Sequence, residues 1–140
     1  MVEAHKKNNK KIMSIELGKN LIEKDKQKCK SKNNKKIVHG DSRKILSEVL
    51  KKIAEPVIFW LDGHYSAGIT AKGDKDCPIF EELDAILRRG NLDHILLIDD
   101  ARCFNGQGDY PTIQELKNYI QAKNGNYQME VKNDIIRFVI

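Results

Sequence analysis

The sequence contains no apolar run approaching the roughly 20 residues that span a bilayer. Its N-terminus lacks the apolar core of a secretory signal, which makes the cytoplasm the expected compartment. Cysteine is scarce. Cys29, Cys77 and Cys103 are odd in number and have no paired spacing, which argues against a disulfide framework and against a zinc site. Cys77 and Cys103 fall in segments read as loops at one end of a sheet, where solvated thiols are expected. Aromatic residues make up only 6% of the chain, and the many lysines of its first half alternate with asparagine instead. That pattern points to a solvated basic face rather than to a nucleic-acid surface. There is no internal repeat, and the only biased stretch is the Lys/Asn-rich start.

What is present suits one soluble globular domain. The 140 residues suffice for a buried core, and 40% hydrophobic with 32% charged residues is neither a disordered nor a membrane composition. The net charge of +5 is unevenly spread. Residues 1–53 hold 16 Lys/Arg against 6 Asp/Glu, a balance of +10, and the remainder holds 9 against 14, a balance of −5.

Residues 1–10 read as a polar N-terminal segment, a frayed start or the tail of a helix, ahead of one domain over 11–140. Strands are expected at Lys11–Leu17, Lys36–Gly40, Val57–Leu61 and Ile95–Ile98. The last two are unbroken apolar runs, as in strands covered on both faces. Helical stripes alternate with them. Asn20–Lys30 is weakly amphipathic. Ser42 opens a helix carrying Ile45, Leu46, Val49, Leu50 and Ile53, which ends before Pro56. Pro78 opens another with Ile79, Phe80, Leu83, Ile86 and Leu87, stopping near Gly90. Thr112 and Glu115 form a capping box for a third, carrying Ile113, Leu116 and Ile120. Tyr127–Lys132 and Ile135–Ile140 close the chain as an antiparallel hairpin around Asn133–Asp134. Such alternation implies a doubly wound α/β domain, with a mostly parallel sheet and helices on both faces.

Ligands of open α/β sheets bind at the carboxyl ends of the strands. The residues there are Glu16, Asp41, Asp62 with His64, and Asp99 with Asp100. Two long loops, 63–77 and 101–111, leave the same edge. Three carboxylates at neighbouring strand ends repel one another unless a cation sits among them, and magnesium is a hard ion suited to oxygen ligands. The competing reading makes each Asp a helix cap or turn former. His64 has three readings: proton acceptor, metal ligand, or hydrogen-bonded loop histidine. Arg102 lies beside the acidic pair and balances it, and His5, His39 and His94 have no such context.

The phrases SIEL (14–17), HGDS (39–42), FWLDGHYSAG (59–68), LLIDDARCF (96–104) and DYPTIQEL (109–116), in that order, resemble the class I S-adenosylmethionine-dependent methyltransferases. The resemblance covers residues 11–140 and implies a Rossmann-like fold truncated at its start. It implies that Glu16 holds the cofactor ribose, with Asp41 and Ser42 near the adenine. Asp62, Asp99 and Asp100 match the magnesium positions of the metal-dependent O-methyltransferases, whose catalytic lysine position is Tyr65 here. His64, with Asp62, then becomes the candidate for proton transfer. The sequence departs from the family in one respect. The first strand and its Gly-rich turn, which cradle the methionine end of the cofactor, have no counterpart before residue 11, and the GQG at 106–108 follows the wrong strand.

Two functions follow. One is magnesium-assisted O-methyl transfer to a small-molecule hydroxyl, impaired by the missing cofactor wall. The other is a non-catalytic binding module, or a gene fragment, that keeps the fold. A metal-dependent hydrolase built on Asp62, His64 and Asp99 is a third, with no spacing that singles it out. The missing strand leaves a slot between Lys11–Leu17 and Val57–Leu61. Direct pairing of those two strands is the first expectation. A strand from a homo-oligomer partner or from a preceding segment, or a poorly folded isolated chain, is the alternative.

Overall fold

Seven strands form one mixed sheet in the computed structural model, which describes residues 2–5, 12–16, 35–40, 42–62, 77–88 and 92–140. They are β1 (Val2–His5), β2 (Ile12–Glu16), β3 (Lys35–His39), β4 (Ile58–Leu61), β5 (Ile95–Ile98), β6 (Gln128–Lys132) and β7 (Ile135–Val139). Their spatial order is β3-β2-β1-β4-β5-β7-β6. The pairs β2–β3 and β4–β5 are parallel, and β7 runs antiparallel to both β5 and β6. Among the described residues three α-helices accompany the sheet: α1 (Ser42–Leu50), α2 (Ile79–Leu87) and α3 (Ile113–Lys123).

Local sequence explains most of these boundaries. Between β3 and α1 stands Gly40 at φ +144°, where a Cβ would run into the Ile45 side chain, so the turn needs glycine. Helix α2 starts just after Pro78 and carries Glu81 and Glu82 in its first turn, which complements the helix dipole. Helix α3 has the expected capping box. The Glu115 N–H donates to Thr112 Oγ1 at 3.1 Å, and the Thr112 N–H donates to Glu115 Oε2 at 2.7 Å. The hairpin turns through Asn133 (φ +53°) and Asp134 (φ +60°), the two left-handed residues of a type I′ turn. The expected helix over Asn20–Lys30 lies outside the described residues.

The core occupies one face of the sheet. Phe59, Leu61, Leu96, Ile98, Ile136 and Phe138 are buried there, in one cluster with Leu46, Leu83, Ile86, Leu116 and Ile120 of the helices. Burying each such side chain fully is worth roughly 1.5–3 kcal/mol. The alternate residues of β4 and β5, Ile58, Trp60, Ile95 and Leu97, are only half-buried. The three described helices all contribute to this one core cluster. No described helix is long and apolar enough to cross a membrane.

The slot beside β4 is filled by the chain itself. Strand β1 lies between β2 and β4, antiparallel to both, with Val2 opposite Ile15 on one side and Leu61 on the other. This corrects two expectations. Val2–His5 is neither a frayed start nor the tail of a helix, and β2 does not close directly onto β4. Unpaired strand edges buried inside a sheet cost on the order of 1–3 kcal/mol per group, which any available strand relieves.

At the amino edge of β4 and β5 a buried polar set ties three segments together. His94 is 2% exposed; the Val57 N–H donates to its Nδ1 at 3.1 Å, and the Tyr127 hydroxyl donates to its carbonyl at 2.8 Å. An Nδ1 that accepts must be unprotonated, so His94 is the neutral Nε2–H tautomer. Burial also pushes its pKa down, against a smaller upward pull from Asp93. The imidazole meets Phe59 edge-on at 5.0 Å.

Candidate functional site

The parallel pairs bring the carboxyl ends of four strands to one edge. Glu16 is level with His39, and Leu61 is level with Ile98. The ladder runs one step further, the Asp99 N–H donating to the Leu61 carbonyl at 3.0 Å. Because Val2 pairs with both Ile15 and Leu61, the ends of β2 and β4 stand two strand spacings apart, about 10 Å. Strand β1 enters at this edge and leaves at the opposite one. The edge thus carries Glu16 at the end of β2, Asp62 one residue past β4, and Asp99 and Asp100 just past β5. Ser42 is the first residue of α1, three positions beyond β3. Asp41 and His64 lie outside the described residues, as does Tyr65.

The two carboxylates after β5 are committed to local structure. Asp99, half-buried, accepts the Asp100 N–H through Oδ1 at 2.9 Å. Asp100 sits in the left-handed region at φ +56° and its Oδ1 is 2.7 Å from Arg102 Nη1. Arg102 also pairs with Asp134 of the hairpin turn, whose carboxylate accepts the Arg102 N–H at 2.9 Å. The Ala101 N–H reaches the Asp134 carbonyl at 2.8 Å. Arg102 therefore balances Asp100 of the acidic pair, and it also ties the loop after β5 to the β6–β7 turn. Among the described residues no group of three or more His, Cys, Asp or Glu side chains is placed to hold a metal ion.

Behind the edge, a cavity of about 10 Å³, the room of one water molecule, is lined by Leu61, Cys77, Glu82, Ile98, Asp99 and Phe104. Glu82 is 1% exposed. It belongs to the apolar stripe of α2, one residue before Leu83 and three after Ile79, and a carboxylate in that stripe was the available signal. Cys77 is buried where a solvated thiol was expected. Burial pushes its pKa up to about 11, with smaller upward contributions from Glu82, Asp109 and Glu81 and a downward one from the Ile79 N–H. At neutral pH it is a protonated thiol and a poor nucleophile. Cys103 is half-buried, and both cysteines are free thiols.

No family model matches this sequence, and no curated protein does. Among solved structures the chain is similar to the fibrillarin pre-rRNA processing protein of Methanococcus jannaschii, with a TM-score of 0.50 at 15% identity. The match covers 91% of this chain and 54% of the archaeal one, so the chain spans about half the length of that protein. At this identity the likeness shows the fold, a Rossmann-like α/β arrangement, and nothing of the activity.

Proposed function

We propose that this chain is a methyltransferase-like domain of the S-adenosylmethionine-dependent class whose carboxyl edge recognises the nucleoside end of that cofactor. The observation that carries the reading is the sheet: order 3-2-1-4-5-7-6 with an antiparallel closing hairpin, and an acidic residue at or just past β2, β4 and β5. A carboxylate accepts from both hydroxyls of a ribose, so Glu16 is the natural ribose ligand. Asp41 and Ser42, after β3, flank the adenine side. The likeness to an archaeal structure of the same fold supports the architecture. When bound, the cofactor supplies an activated methyl group. This chain's residues contribute the hydrogen bonds that orient its nucleoside.

Among the described residues the methionine end has no comparable cradle. No glycine occurs before Gly18, and β1 runs from the carboxyl edge toward the amino edge, opposite to a strand that would feed a phosphate- or carboxylate-binding turn at the site. We infer that binding is weak and turnover of a small-molecule hydroxyl slow or absent. The second reading, a non-catalytic binding module that keeps the fold, draws its support from this same antiparallel strand. Calorimetry on the full chain tests the first. Millimolar S-adenosylmethionine should bind, adenosine should compete, and Glu16→Ala should abolish the heat. No binding at saturating cofactor overturns the nucleoside site and leaves the module reading.

A further inference from the structure

A second concave feature lies away from the strand ends, between α2, α3 and the 105–111 loop. It is a groove of about 560 Å³, within the ordinary range for ligand sites. Its walls are the rings of Phe80, Tyr110 and Tyr119, and its charged lining residues are Asp109 and Glu115. Among the described residues no lysine or arginine lines it. The rings are fixed by contacts with other rings. Phe80 meets Tyr119 at 4.8 Å and Tyr110 meets Phe104 edge-on at 5.6 Å. The loop is fixed too. Gly106 and Gly108 both have positive φ, a Cβ at Gly106 would press on Thr112 at 2.9 Å, and Asn105 bridges to Thr112. Such a surface is formed before any ligand arrives, which lowers the ordering cost of binding.

Charge and aromatic faces together select the occupant. Glu115 remains ionised, its pKa held down by the Thr112 backbone and hydroxyl donors of the capping box. Carboxylates repel phosphate and carboxylate groups, whereas a ring face attracts an ammonium or guanidinium. Tyr119 already does so within the chain: Lys123 Nζ sits 5.5 Å from its ring centroid, anchored 3.2 Å from Asp84. We propose that this groove binds a basic polypeptide segment through its lysine or arginine side chains, seated between Tyr110 and Tyr119 and facing Asp109 and Glu115.

The test uses the full chain, uniformly ¹⁵N-labelled, and acetylated tetra-arginine amide as the probe, with a tetra-glutamate peptide as control. The expected result is saturable shifts of the Gly106, Gly108 and Tyr119 amides with the basic peptide alone. Tyr119→Ala should weaken the affinity about tenfold, the upper range of a ring–cation contact. Asn118→Lys places a cation in the groove at an exposed position, leaves the fold intact and should abolish the shifts. Absence of shifts at millimolar peptide overturns the proposal. So do shifts that survive Asn118→Lys, because they would report diffuse attraction to the acidic half. None of these readouts involves S-adenosylmethionine, so failure here leaves the cofactor reading standing.

Discussion

Tyr127→Phe isolates one hydrogen bond in the interior. The phenol is 2% exposed and its hydroxyl donates to the His94 carbonyl at 2.8 Å, while its ring packs edge-on to Phe138 at 6.4 Å. Burial, with a lesser contribution from Asp93, pushes its pKa up to about 12, so it is a donor throughout the neutral range. Replacement by phenylalanine keeps the ring and its apolar burial. It removes the donor and leaves a buried carbonyl short of a partner. Removing the donor and leaving a buried acceptor unsatisfied costs about 1–3 kcal/mol, and a loss in that range is expected. In a domain of this size that lowers Tm by roughly 3–4 °C per kcal/mol. Urea unfolding followed by circular dichroism should show a lower midpoint with an unchanged slope, because the surface exposed on unfolding is the same. A loss below about 0.5 kcal/mol, the range of an ordinary surface substitution, would refute the reasoning that this hydroxyl locks β5 to the segment before β6.

Two further perturbations bear on the fold. The depressed pKa of His94 means that the unfolded chain takes up its proton first as pH falls. Stability should be full above about pH 6.5 and decline below it toward the lower folded-state pKa, by at most about 1.4 kcal/mol per pH unit. A stability profile flat between neutrality and mild acid would contradict the buried neutral imidazole. Ala4→Pro removes a backbone donor from the centre of the sheet and should cost at least about 2 kcal/mol in urea unfolding. An unchanged midpoint would show that Val2–His5 contributes nothing to the sheet.

Features carried by neighbours in sequence were legible, and those carried by distant partners were not. The Thr112–Glu115 box, the Asn133–Asp134 turn and the stripes of α1 to α3 rest on spacings of a few residues, and the structure has all of them, although α1 ends at Leu50, short of Ile53. The strand-end position of Asp62 and Asp99 was likewise readable, because an unbroken apolar run ends just before each. The disposition of Asp100 was not. Its side chain is set by Arg102, and Arg102 is set by Asp134, which lies 32 residues further along. Nothing in LLIDDARCF announces that partner. Glu82 stood in an apolar stripe and could have been noticed. The ring-walled groove depends on the meeting of α2, α3 and a loop, so Phe80, Tyr110 and Tyr119 read only as isolated aromatics.

The antiparallel course of β1 has a physical origin that local pattern does not contain. In VEAH apolar and polar residues alternate, which suits a strand, but period-two alternation is the same read in either direction. Direction follows from the layer above. A helix with its side chains is about 10 Å across, the width of two strand spacings of about 4.8 Å. Helix α1 packs against α2, and its Leu46 and Leu50 share one core with Ile15 of β2 and with Phe59 and Leu61 of β4. Direct pairing of β2 with β4 would narrow the sheet by one spacing, about 5 Å, beneath helices that cannot narrow with it. A strand between them keeps the spacing that the helices require and satisfies both backbone edges. Strand β1 ends at the amino edge, where β2 begins, so the shortest connection between them is a reversal. A parallel β1 would need a crossover of a dozen or more residues, and only six separate the two strands. The same short connection sets the direction of β1, from the carboxyl edge of the sheet toward the amino edge.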